Sequence, residues 1–174
     1  ATSTNDEDKI LLKIAKQNNI EGFANSLEDV LLRTFLCAKK YSLSHVVRIS
    51  GDSPLIDPNL ILRLFQNIDN EIDIVTNLFP RSFPKGFSCE IIKIETLKKI
   101  LDFTNDLKYR EHVTNYIYDN PFSFRIVNVT SDVEIFNNKN YSVDKEKDLI
   151  FIKKLYKRFG EKLFRMNVYE IVNL

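Results

Sequence analysis

The chain has 174 residues, 44% of them hydrophobic, with 25 Lys and Arg against 24 Asp and Glu for a formal charge of +1. That length suits one domain with its own core. The even charge offers no basic field to hold nucleic acid, and no apolar run approaches the ~20 residues that span a bilayer. The two cysteines, Cys37 and Cys89, lack metal-ligand spacing and read as buried reduced thiols. With a polar, acidic beginning that does not resemble a signal peptide, they point to the cytoplasm. None of the four glycines sits in a phosphate-cradling cluster such as G-x-G-x-x-G.

In chain order, Asn5 or Asp6 can cap a helix with Ile10, Leu11, Ile14 and Ala15 on one face, ending near Asn18-Asn19. Ile20 to Phe23 is a brief strand candidate. Ser26 to Asp29 resembles a capping box with aspartate in the usual glutamate place, and Val30, Leu31, Thr34, Phe35 and Ala38 give the next helix an apolar stripe. His45 to Ile49 is a β-branched strand, Gly51 a turn, and Asp57-Pro58 an N-cap followed by proline at the first position of a helix reaching about Ile68. Strands alternating with helices predict an α/β fold with a largely parallel sheet.

Asp52 falls just past the carboxyl end of its strand, the edge of an open α/β sheet where ligands bind, although Gly-Asp is also an ordinary turn dipeptide. Asp73 to Asn77 is the next strand, and Leu78 to Phe87 a loop holding Pro80, Pro84 and Gly86. Ser88 to Ile94 alternates as a strand but carries Glu90 in an apolar setting. Such a carboxylate either faces a polar cleft or a cation, or lies in water on an edge strand.

Thr96 to Leu101 is a short helix, and a second runs from Asp106 to Tyr118. On it Arg110, Glu111 and His112 spread over three directions, so at least one points inward. A lone helix histidine is as compatible with a surface or core position as with function. Phe122 to Val129 is a strand, and Asp132 to Phe136 a further candidate. Asp144 is a natural N-cap for a helix from Lys145 to Phe159, whose Lys153, Lys154, Lys157 and Arg158 form a solvated face. Asn167 caps a last helix.

Four stretches, Val46 to Pro58 (VVRISGDSPLIDP), Phe83 to Ile91 (FPKGFSCEI), Arg110 to Thr114 (REHVT) and Ser142 to Leu149 (SVDKEKDL), together resemble the cytidylyltransferases of the spore-coat polysaccharide, CMP-Kdo synthetase and acylneuraminate type. The resemblance implies a nucleotide-diphospho-sugar transferase-like fold, a three-layer α/β/α sandwich with a mostly parallel, mixed sheet. It also implies transfer of CMP from CTP to a sugar or sugar acid with release of pyrophosphate. Asp52 and Asp144 match the family's metal-binding carboxylates, with Mg²⁺ the expected ion. Arg48 would face the cleft and neutralise phosphate or a sugar carboxylate, with its replacement sparing stability. Glu90, Arg110, Glu111 and His112 would line the acceptor side.

The resemblance further implies that an N-terminal strand and a nucleotide loop precede Ala1, with Ala1 to Thr4 matching the end of the family's second strand. It leaves a homodimer open. Ser88 stands where the family commonly has aspartate, and Tyr141-Ser142 where an arginine is usual, so the acceptor is not fixed by the motifs. Two other readings compete: a non-catalytic domain of the same fold, and a metal-dependent glycosyltransferase. The latter would use Glu71-Ile72-Asp73, which precedes a strand where the crevice rule needs the motif to end one.

Overall fold

The computed structural model describes residues 1–132 and 139–174. They divide into two compact units, Ala1–Val46 with Lys93–Phe124, and Val47–Ile92 with Arg125–Leu174. Part of the candidate strand at Asp132 to Phe136 lies outside the described residues.

In the first unit, β1 (Thr2–Ser3) pairs in parallel with β2 (Ala24–Asn25) across helix α1 (Lys9–Gln17). The strand expected at Ile20 to Phe23 thus begins four residues later. Ile20 is spent closing the helix, its N–H bonding the Ala15 carbonyl at 2.9 Å. Helix α2 (Val30–Lys40) starts where expected, but its cap is Asp29, whose carboxylate accepts from Leu32 N–H at 2.8 Å, while Ser26 Oγ accepts from Asp29 N–H at 3.0 Å. The charged side chain nearest the first turn wins the cap.

Helix α4 (Ile94–Phe103) is longer than its motif suggested, and α2 packs against it. The helix expected from Asp106 to Tyr118 is two, α5 (Leu107–Glu111) and α6 (Asn115–Asp119). Between them His112 leaves helical geometry (ψ 82°), and the β-branched pair Val113-Thr114 turns inward to 0% and 5% exposure. Such residues lose rotamer freedom in a helix, so burial outweighs continuation. Leu31, Ala38, Leu97, Ile100, Val113 and Ile117 are all buried in this unit.

Strand β3 (His45–Arg48) carries the chain into the second unit, whose sheet has the order β3-β5-β4-β6, with β4 Ile74–Thr76, β5 Glu90–Lys93 and β6 Ile126–Asn128. β4 runs antiparallel to β5 (Thr76 opposite Glu90) and parallel to β6 (Val75 opposite Val127), so the sheet is mixed. Helices α3 (Pro58–Phe65), α7 (Glu146–Phe159) and α8 (Val168–Val172) complete the unit, with Leu60, Leu64, Val75, Phe87, Ile91, Tyr141 and Leu163 in one core cluster. Each fully buried Leu or Ile there contributes about 1.5–3 kcal/mol of apolar transfer. The expected strand from Phe122 is cut short because Pro121–Ser123 forms a 3₁₀ turn that leaves Phe122 wholly exposed.

Asp57 performs two caps. One oxygen accepts from Asn59 N–H at 2.8 Å at the start of α3, and the other from Val168 N–H at 3.0 Å at the start of α8, 111 residues away. Asn167 and Glu170 add a reciprocal capping box to α8.

Candidate active site

The turn after β3 carries Asp52, with Ser53 N–H closing on the Ser50 carbonyl at 3.2 Å. Across it runs the segment before α7. Val143 N–H donates to the Asp52 carbonyl at 2.8 Å, so Asp52 and Asp144, 92 positions apart in sequence, flank one backbone hydrogen bond. Asp144 does not cap α7. The N-cap is Lys145, and Asp148 serves the helix start, accepting from Asp144 N–H at 3.2 Å and Lys145 N–H at 2.9 Å. The Asp144 side chain is left to accept from Ser142 Oγ at 3.0 Å and Asn140 Nδ2 at 3.2 Å, and Asp52 accepts from Ser53 Oγ at 2.9 Å.

The loop after β4 is fastened to the same segment. Tyr141 N–H donates to the Lys85 carbonyl at 3.0 Å, and Gly86 (φ +96°) lies so close that a Cβ would sit 2.5 Å from the Tyr141 carbonyl carbon and 2.8 Å from the Ser142 nitrogen. Both its conformation and its contact demand glycine. Phe87 meets Tyr141 edge to face at 5.3 Å. Asn77, wholly buried at the end of β4, anchors the loop's far side, donating to the Phe87 carbonyl at 2.7 Å and accepting from Cys89 N–H at 3.0 Å. Sequence reasoning gave no positioning role to Asn77, Tyr141 or Ser142; Ser142 opens a matched stretch and Tyr141 precedes it, while Asn77 carried no signal beyond ending its strand.

Glu90 is buried at 1% exposure, so it does not stand in water. Arg48 Nη1 donates to its Oε2 at 2.7 Å. The cation that the odd carboxylate called for is therefore Arg48. Beside them, burial pushes the Cys89 thiol up to about 12, with the Glu90 charge adding to the effect, so Cys89 is no nucleophile.

The remaining predicted residues belong to the first unit. Arg110 is a clamp there: it donates to the carbonyls of Leu101 (3.1 Å) and Thr104 (3.0 Å) at the end of α4, to Asn105 (2.7 Å), and pairs with Asp29 at 3.1 Å. Glu111 and His112 are exposed. Asp52, Arg48, Glu90 and Asp144 are thus held within one unit, and Arg110, Glu111 and His112 within the other. The carboxylates of the glycosyltransferase alternative serve the edge of the sheet. Glu71 pairs with the Arg125 guanidinium, and Asp73 accepts from Arg125 N–H at 2.9 Å.

Among the described residues no group of three or more His, Cys, Asp or Glu could hold a metal by itself. Asp52 and Asp144 each have one oxygen tied to a serine hydroxyl and, among the described residues, no hydrogen bond to the other. Two hard carboxylates with an open oxygen each fit Mg²⁺, which takes one or two protein carboxylates and fills its octahedron with water and phosphate oxygens.

The α/β fold with its mixed sheet is nucleotidyltransferase-like, and in it the turn after β3 is hydrogen-bonded to the segment before α7. The structure superimposes on that of a cytidylyltransferase from Leptospira borgpetersenii serovar Hardjo-bovis with a TM-score of 0.92, covering 99% of this chain and 72% of that one at 24% identity, a likeness of fold. The profile of the family described as Cytidylyltransferase matches residues 1–171, and the chain belongs to that family. It is 32% identical over 127 residues to an uncharacterized protein of Methanocaldococcus jannaschii, covering 72% of this chain and 51% of the relative. It is 30% identical over 167 residues to the spore coat polysaccharide biosynthesis protein SpsF of Bacillus subtilis, covering 93% and 68%. The chain thus spans about half the length of the first relative and about two thirds of the second. No helix among the described residues is long and apolar enough to cross a membrane.

Proposed function

We propose that the protein transfers CMP from CTP to a sugar or sugar acid, releasing pyrophosphate, in the making of a surface or spore-coat polysaccharide. The observation that carries this reading is the Val143-to-Asp52 backbone bond, which joins the Asp52 turn to the segment that carries Asp144, itself fastened to the Gly86 loop. Family membership and the similarity to SpsF support the nucleotide and the sugar-type acceptor.

Asp52 and Asp144 would hold Mg²⁺, which when bound screens the triphosphate and lowers the pKa of an acceptor oxygen. The chain's own work is positioning. The Gly86 loop braces the Asp144 segment, and the Glu90 carboxylate fixes Arg48 so that its remaining guanidinium N–H groups meet an anionic oxygen without first being ordered.

The test is Mg²⁺-dependent release of pyrophosphate from CTP against a panel of sugars and sugar acids, with Asp52→Asn and Asp144→Asn as controls. CTP turnover with one acceptor class, lost in both variants, is the expected result. Folded protein that neither binds CTP nor releases pyrophosphate with any acceptor would overturn the proposal and favour the non-catalytic reading.

A further inference from the structure

The two aspartates are each accompanied by a serine, and both serines are inside the protein: Ser53 is 6% exposed and Ser142 7%. Ser53 Oγ donates to Asp52 Oδ1 at 2.9 Å. Ser142 Oγ lies 3.0 Å from Asp144 Oδ2 and 2.8 Å from Asn140 Oδ1, with one hydroxyl proton to give. Asn140 Oδ1 already accepts from Ser142 N–H at 2.9 Å, and a charged acceptor makes the stronger bond, so the proton belongs to Asp144. Asn140 Nδ2 adds a second donor to the same oxygen at 3.2 Å.

The arrangement repeats on the two sides of the Val143-to-Asp52 bond: a buried hydroxyl next to a more accessible carboxylate, taking one oxygen and leaving the other. A serine hydroxyl in that place carries no charge to compete with a cation, yet it removes the free rotation of the carboxylate that would otherwise have to be frozen on binding.

We propose that Ser53 and Ser142 are positioning residues that orient the Asp52 and Asp144 carboxylates toward a shared divalent cation, with Asn140 as an auxiliary donor to Asp144. This rests on the reading of Asp52 and Asp144 as metal ligands. The neutral hydroxyl fixes the carboxylate without adding a positive charge beside the ion.

The experiment is calorimetric and electron-paramagnetic titration of Mn²⁺ into the full chain in the presence of CTP, comparing wild type with Ser53→Ala, Ser142→Ala, Ser142→Thr, Asp52→Asn and Asp144→Asn. Thermal melts confirm that each variant is folded. Each alanine variant should bind Mn²⁺ about tenfold more weakly, the usual effect of removing an outer partner of a metal ligand. Ser142→Thr, which keeps the hydroxyl, should restore affinity, and the asparagine variants should lose it. Alanine variants that match wild type while the asparagine variants fail would overturn the serine assignment and leave the metal site standing. Asparagine variants that bind Mn²⁺ like wild type, or a wild type that binds none, would overturn both.

Discussion

Replacing Arg48 by methionine keeps most of the side-chain volume and removes the guanidinium that donates to Glu90. Glu90 is 1% exposed, so it cannot turn to water. Breaking a fully buried ion pair by removing one partner costs about 3–5 kcal/mol. The Arg48 side chain, however, is 35% exposed, and water reaching that end screens part of the loss, leaving about 2–3 kcal/mol. For a chain of this size that is a fall of about 4–12 °C in Tm. Urea unfolding of Arg48→Met, Glu90→Gln and the double variant checks it. The double variant should be more stable than the sum of the singles requires, with a coupling of about 1–2 kcal/mol. Additive effects, or an Arg48→Met variant within about 0.5 kcal/mol of wild type, would refute the claim that Arg48 is held by Glu90. The motif alone had suggested that Arg48 could be removed without touching stability. The ion pair predicts that activity and stability fall together.

Gly86→Ala places a methyl against the Tyr141 backbone at a positive φ, and should cost about 3 kcal/mol while lowering CTP turnover, read by urea melts and pyrophosphate release. Asp57→Ala removes two helix caps from a buried site and should destabilise by about 2–3 kcal/mol; a loss under about 0.5 kcal/mol would show that water replaces it. Because the Cys89 thiol is raised from its ordinary 9.0 to about 12, the unfolded chain gives up that proton first, so stability should decline as pH climbs from about 9 to about 12. Cys89→Val should flatten that slope in alkaline urea titrations, and native Cys89 should resist thiol reagents at pH 8.

Local rules served well where one residue decides the outcome. Asp57-Pro58 marked the start of α3 and Asn167 that of α8, since a cap and a proline act on the first turn alone. Glu90 was legible as a charge in an apolar strand that needed a partner, but its partner is 42 residues distant, and no spacing rule connects β3 to β5. The break at His112 was hidden because helical periodicity continues through Val113 and Ile117, both of which are buried by a route that the period does not describe. Asp144 looked like a cap because any aspartate before a helix does. Only the fold shows Asp148 doing that job and Ser142 and Asn140 holding Asp144 elsewhere. Arg110 read as a ligand contact, yet four of its neighbours are groups at the end of α4 and the start of α2.

Asp57 is one carboxylate shared between the beginnings of two helices that lie far apart along the chain. Neither helix can fray at its first turn without leaving that buried charge short of a donor, a cost that falls on the other helix as well. The amide protons of α3 and α8 should therefore exchange with solvent through a common opening event, making the last residues of the chain and the segment that follows the Asp52 turn a single cooperative unit.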